Sequence, residues 1–313
     1  MEAETIVKQI QYNENLIQDV QCTFRWFETQ TDQTLKECQW GYKNPKEFIS
    51  GTRYGTTEDG TIEPFTEIIA FDGKVTRDYR YVPSSEDKTG GIYAYNPYVF
   101  NVDPSPKTLL GYTISQDGNY TLSALLSNKY VKEKNVQAET FQGRECIILQ
   151  AMGFRTNRDI YDVRIWIDPK RNYRPLKMEV YHSPEDKGTV AGLKEKRWKY
   201  ISHRIHNIVL NQFDGIWFPV TGELVVYGNQ PEALLKGKTD EEVRKRYPGG
   251  MSNEEIMKRE NFVTFPKHPR QRIDLSEIRI NSNIDPVKFS IDFPQGCLVW
   301  DNRVGYSYKI PAQ

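Results

Sequence analysis

Runs of β-forming residues punctuated by Asp-Gly dipeptides constrain this chain more than any other feature of it. Asp59-Gly60, Asp72-Gly73, Asp117-Gly118 and Asp214-Gly215 accept the positive φ angles of tight hairpin turns. Two of them sit between clear strand sequences. Ile68-Ile69-Ala70-Phe71 turns at Asp72-Gly73 into Lys74-Val75-Thr76, and the run from Trp198 to Phe213 turns at Asp214-Gly215 into Ile216-Trp217-Phe218. The period of two begins near Cys22, in Thr23-Phe24-Arg25-Trp26-Phe27 and Cys38-Gln39-Trp40-Gly41-Tyr42, and returns at 146–149, 163–167 and 176–181. Consecutive antiparallel pairing is the expectation.

Helical spacing appears in three places. Ile6, Ile10 and Ile17, with Val7 and Val20, predict an amphipathic helix through about residue 20. Ser105-Pro106 is a cap and first-turn pair before Thr108-Leu109-Leu110, and Thr121 caps Leu122-Ser123-Ala124-Leu125-Leu126. Between about 230 and 260 the chain turns charged and carries two capping boxes, Thr239 with Glu242 and Ser252 with Glu255. That stretch reads as a charged helical insertion. Strand alternation then resumes through Phe289, Ile291 and Phe293 towards a C-terminal hairpin of Leu298-Val299-Trp300 and Tyr306-Ser307-Tyr308. No linker or fixed-period repeat divides the 313 residues, so residues 1–313 are expected to form a single domain.

Lys plus Arg and Asp plus Glu both number 42, which leaves no bulk charge to draw the chain onto nucleic acid. No window reaches the roughly 18 consecutive apolar residues of a transmembrane segment. The polar start Met1-Glu2-Ala3-Glu4 has no signal-peptide core, so an exported form requires a leader or lipid anchor that has been removed. Cys22, Cys38, Cys146 and Cys297 have no metal or redox spacing. Cys22 and Cys38 lie symmetrically about Thr29-Gln30-Thr31-Asp32, so a hairpin setting them face to face would allow a disulfide; buried thiols are the other reading.

Chemistry-bearing motifs are scarce. Gly237-Lys238-Thr239 resembles the end of a phosphate loop, but Glu232 stands where its first glycine belongs. There is no G-x-S-x-G elbow and no H-E-x-x-H helix. Four histidines, at 182, 203, 206 and 268, read as exposed sheet residues, with no metal site expected. Asp162, Asp168 and Glu179 are near enough in strand order for a carboxylate pair, but Asp168 fits an Asp-Pro turn and the other two a solvated face. No catalytic residue and no cofactor is expected.

The large aromatics carry more information. Trp26, Trp40, Trp166, Trp198 and Trp217, together with Phe24, need more cover than a few helices provide. The first five are the candidate walls of a ligand cavity, against an ordinary core filled by the protein's own side chains.

Several short stretches resemble the LolA/LolB-like lipoprotein-carrier superfamily, whose relatives include RseB-type envelope regulators: Phe71-Asp72-Gly73-Lys74, Leu109-Leu110-Gly111-Tyr112, Val163-Arg164-Ile165-Trp166-Ile167-Asp168-Pro169, Tyr173-Arg174-Pro175-Leu176-Lys177 and Asp214-Gly215-Ile216-Trp217-Phe218-Pro219. The resemblance implies a mainly β fold, a strongly curved antiparallel sheet forming an incomplete β-barrel, with an N-terminal helix and short helices covering one face. It also implies the periplasm or cell envelope, and non-catalytic binding of a lipid or the acyl chain of a lipoprotein. The alternative is an envelope scaffold or RseB-like regulator with a filled core, meeting a protein partner through residues at about 230–260.

Overall fold

In the computed structural model, which describes residues 2–56, 60–94, 104–112, 121–127, 129–155, 160–183, 198, 200–231, 262–267 and 269–311, most of the described residues belong to one sheet. A helix α1 (Ala3–Asn15) leads into a first meander, β1 (Val20–Glu28), β2 (Thr34–Lys43), β3 (Lys46–Thr56), β4 (Ile62–Phe71), β5 (Val75–Val82) and β6 (Asp87–Ala94). Two short helices follow, α2 (Pro106–Leu110) and α3 (Leu122–Leu125). A second meander comprises β7 (Glu133–Phe141), β8 (Arg144–Arg155), β9 (Ile160–Asp168), β10 (Arg174–His182), β11 (Ile201–Phe213) and β12 (Ile216–Pro231). The remaining strands are β13 (Phe262–Pro266), β14 (Gln271–Ile280), β15 (Leu298–Asp301) and β16 (Tyr306–Lys309), with a 3-10 turn at Pro286–Phe289.

The strand order is β16-β15-β6-β5-β4-β3-β2-β1-β14-β12-β11-β10-β9-β8-β7, with β13 on the far part of β12. Late in sequence, β14 lies between β1 and β12 and so joins the two meanders into one curved, mainly antiparallel sheet. Only β15 on β6 is parallel among the described pairs. The sheet is not closed: β16 and β7 are its edges.

Local chemistry explains the turns. Asp214 (φ 47°) and Gly215 (φ 83°) both adopt left-handed backbone between β11 and β12, the geometry that matches strand twist in a two-residue hairpin. Asp72 accepts from the Lys74 and Val75 amides, each at 2.8 Å, and closes the β4–β5 turn. The helix α1 stops at Asn15, short of the expected residue 20, because Val20 is the first inward residue of β1, in register with Tyr42 and Ile280. Sheet pairing there outweighs helical periodicity. The expected turns at Asp59-Gly60 and Asp117-Gly118 lie in whole or in part outside the described residues, and the charged insertion at about 230–260 does so almost entirely.

The helices rest on one face of the sheet, here called inner. Ile6 and Ile10 of α1, Leu109 and Leu110 of α2, and Leu122 and Leu125 of α3 join a single apolar cluster with alternate residues of the strands. The outer face of β3–β6 is covered instead by the chain after β14, through Ile284, Phe289, Ile291 and Val299. Adjacent glycines in β6 serve the two faces. A Cβ at Gly90 would meet the Phe293 ring outside, and one at Gly91 would meet the Asp78 carboxylate and the Tyr93 hydroxyl inside.

Candidate ligand-binding face

Strand alternation places one residue in two on the inner face, and cross-strand register makes these rows continuous. Cys22 of β1 stands opposite Trp40 of β2, which stands opposite Ile49 of β3, which stands opposite Ile69 of β4. In the second meander, Leu149, Ile165, Met178 and Ile205 form the equivalent row across β8–β11. Each fully buried side chain of this size contributes about 1.5–3 kcal/mol of transfer free energy. The apolar field therefore spans both meanders.

The helices are tied to this field largely by buried polar contacts. Lys107 of α2 pairs with Glu47 of β3 at 2.8 Å, with side chains 1% and 0% exposed, and the Trp40 indole N–H donates to the same carboxylate at 2.8 Å. Glu14, at the end of α1, accepts from the Leu122 amide at 2.8 Å and from the Ser123 amide and hydroxyl, which locks α1 to α3. Burial pushes the Glu14 carboxyl above the usual range, against the opposing pull of the Ser123 hydroxyl and Arg174. From β10, Arg174 donates to the Trp217 carbonyl at 2.9 Å and the Asn13 carbonyl at 3.4 Å, while Asn172 bridges Asn13 and the Trp217 amide.

Beyond the apolar field on the same face lies a charged belt. Lys36 occupies the inward position two residues before Cys38, and Glu67 the one two residues before Ile69. Lys36 Nζ is 2.5 Å from Glu67 Oε2, and Arg53 and Arg80 each approach Glu67 Oε1 at 3.6 Å. Burial alone would raise Glu67, but Lys36 and the two guanidiniums hold it below the usual carboxylate range. Asp78 moves the other way: burial and the nearby Glu67 raise it against the pull of Arg80. The buried Trp26 indole N–H, on the residue directly opposite Lys36, has no hydrogen-bond partner among the described residues.

The five tryptophans expected to form one cavity wall are not brought together. Trp26 and Trp40 lie in the inner cluster, and Trp217 packs against it. Trp166 alternates with Ile165 and Ile167 and so faces outward, where the Lys177 ammonium sits 4.0 Å from its ring centroid. Trp198 is also on the outer side, edge-on to Tyr181 and under Arg164 at 4.2 Å. Period two puts Trp166 on the face away from the helices, and Trp198, in a turn before β11, packs there against Tyr181 and Arg164.

The Cys22–Cys38 disulfide is likewise corrected: all four cysteines are buried thiols. The hairpin pairs Cys22 with Trp40 and Phe24 with Cys38, two residues off the Cys22–Cys38 pairing that the turn sequence suggested. The two cysteines are therefore diagonal neighbours, about 7–8 Å apart between Cα atoms, beyond disulfide reach.

His203 is partly buried rather than exposed, and burial together with His182 lowers its imidazole to about 4. His268 lies outside the described residues. Among the described residues, no three His, Cys, Asp or Glu converge as metal ligands. Asp162 accepts from the Gly153 amide, Asp168 from the Lys170 amide in its turn, and Glu179 from Tyr181, Lys177 and Arg204, so all three carboxylates have structural partners. A shallow outer groove of about 400 Å³ crosses β11, β12 and β14 over Thr221, Arg272 and Asp274. No helix among the described residues is long and apolar enough to cross a membrane.

The charged belt escaped the sequence reading. Its signal was present in the strand period, since Lys36 alternates with Cys38 and Trp40, and Glu67 with Ile69 and Phe71. A charge at an inward strand position needs a partner, and that partner comes from distant strands.

No family profile and no curated protein sequence matches the chain. Among solved structures it is similar to an outer membrane lipoprotein-sorting protein domain from Vibrio parahaemolyticus, with 13% identity, a TM-score of 0.44, and 92% of this chain and 97% of that one covered. It is similar to a DUF1329 family protein from Desulfovibrio piger, with 12% identity, a TM-score of 0.42 and the same coverage. It is also similar to a LolA superfamily protein from Nitrosomonas europaea, with 12% identity, a TM-score of 0.39, and 94% of this chain and 100% of that one covered. At these values the likeness carries no residue correspondence; it is to lipoprotein-sorting and LolA-like structures that the chain is similar.

Proposed function

We propose that this protein binds an acyl chain or other lipid tail between the inner face of its sheet and the overlying helices, as a carrier or lipid sensor of the bacterial envelope, with no covalent step. The observation that carries this reading is the apolar field that spans both meanders under three short helices, which buried polar contacts tie down. Such contacts are strong when formed in a dry interior, yet they are few and directional, so a lid can exchange them. Each methylene of a bound tail contributes about 0.8 kcal/mol before the ordering costs of binding are subtracted. Native mass spectrometry of protein purified without detergent, followed by organic extraction, is the test. A stoichiometric acyl species supports the reading, and an apo mass that also refuses added fatty acid overturns it.

A second reading, an envelope scaffold or regulator with a filled core, is favoured by the side chains under the helices: Phe24, Trp40, Phe154 and Phe218 are each no more than 1% exposed. It predicts that lipids are refused, and that removing the charged stretch at about 230–260 abolishes capture of a protein partner while the fold survives.

A further inference from the structure

The charged belt on the inner face has a composition that core packing does not require. Lys36, at 2% relative exposure, and Glu67, at 5%, are buried, and among the described residues three cations of this belt face the carboxylates of Glu67 and Asp78. Arg53 and Arg80 approach Glu67 at 3.6 Å, an ion-pair separation longer than a good hydrogen bond. The Arg80 side chain is 52% exposed and its guanidinium lies 4.8 Å from the Phe65 ring centroid, so it reaches from the belt into solvent. Next to Lys36, the Trp26 indole N–H is buried without an acceptor among the described residues, a donor that an anion would engage.

Position adds a second argument. The belt begins one strand repeat, about 6.5–7 Å, beyond the apolar rows of Cys38 and Ile69. A tail lying over those rows places its polar end among the cations.

We propose that Lys36, Arg53 and Arg80 around Glu67, with the Trp26 indole N–H, receive the anionic group of an amphipathic ligand, a phosphate or a carboxylate. The site rests on the acyl-binding reading above and specifies the ligand class: anionic single-chain or headgroup-bearing lipids over neutral ones. Planar guanidinium donors and a neutral N–H suit a tetrahedral or trigonal oxyanion, whereas a quaternary ammonium headgroup would be repelled.

Calorimetric titration of delipidated protein with dodecyl phosphate, 1-dodecanol and inorganic phosphate separates the outcomes. The wild type is expected to bind dodecyl phosphate about tenfold or more tightly than 1-dodecanol, the gain of one charge-assisted hydrogen bond. Trp26→Phe keeps an aromatic ring and removes the donor. Arg80→Gln removes an exposed cation without stranding a buried one. Each should lower dodecyl phosphate affinity about three- to tenfold relative to 1-dodecanol affinity, and Arg80→Gln, which lies outside the apolar field, should leave 1-dodecanol binding itself unchanged, which also reports an intact fold. Equal affinity for the phosphate and the alcohol overturns the headgroup site while leaving the acyl-binding reading in place. Binding of inorganic phosphate as tight as dodecyl phosphate also overturns it, in favour of a free-anion site. Refusal of both dodecyl probes overturns the acyl reading and this site with it.

Discussion

The inner face of the sheet is covered by helices held through buried charge, whereas the outer face of β3–β6 is covered by the chain after β14, held through apolar plugs. Inside, Lys107–Glu47, Glu14–Ser123 and Arg174–Asn13 make the ties. Outside, Phe289 meets Phe48 edge-on at 5.7 Å between centroids, with Ile284 and Ile291 beside it. The outer segment starts from a firm anchor, since Asp19 accepts from the Ser282 amide at 2.9 Å and the Asn283 amide at 3.0 Å. Apolar plugs are non-directional and lose free energy steadily as they separate. A buried ion pair holds in one geometry and is costly when half of it is lost. The first construction suits a permanent cover and the second a lid with discrete closed and open states.

The largest expected effect is at the lid. Lys107→Met leaves Glu47 charged, buried and short of its cation, and should cost about 3–5 kcal/mol in urea unfolding. Combining it with Glu47→Gln should recover most of that loss, and a double variant no more stable than the single one would break the comparison. On the outer cover, Ile284→Val should cost about 1 kcal/mol and leave binding of a fluorescent fatty acid unaltered. A change in probe affinity from that substitution would mean that the two coverings are coupled.

The pH dependence sharpens the contrast. The folded pKa of Glu14 is raised, so the stability tied to its protonated form is present at low pH and is lost as pH rises through the folded value. Glu14→Gln should therefore gain on the wild type as pH rises from about 4 to about 8, read as the difference in unfolding free energy. Glu67 runs the opposite way: its folded pKa is depressed, so its contribution is present above the unfolded value and is lost as pH falls through the folded one. A Glu14→Gln difference that stays flat across this range would show that the lid contact carries no titrating charge.

The smallest effect concerns the thiols. Because no cysteine is in a disulfide, a reductant should leave the melting temperature unchanged within about 1 °C. Timed alkylation under native conditions should label Cys22 and Cys38, beneath the lid, before Cys297, beneath the outer cover. The reverse order would make the outer cover the looser of the two.

Much of the architecture was legible from local chemistry. Asp72-Gly73 and Asp214-Gly215 can take backbone angles that few dipeptides accept, so their hairpins were visible without any long-range information. The same holds for α2 and α3, announced by Ser105-Pro106 and Thr121, and for the period of two that made β1, β2, β4 and β9 strands. The candidate site was less legible. Trp26 and Trp40 lie in the inner cluster while Trp166 and Trp198 face out, because a tryptophan's size says nothing about which side of the sheet it takes.

By itself the sequence determined many of the strands, several of their turns, and the helices that lie over them, because each of these follows from the φ, ψ and periodicity of a few adjacent residues. Only the tertiary structure decided which residues meet. The insertion of β14 between β1 and β12, the two-residue shift in the β1–β2 pairing that separates Cys22 from Cys38, and the gathering of Lys36, Arg53, Glu67 and Arg80 all depend on register between strands. Register is set by the burial of whole faces at once, and a shift of a single residue exchanges every inner side chain for an outer one.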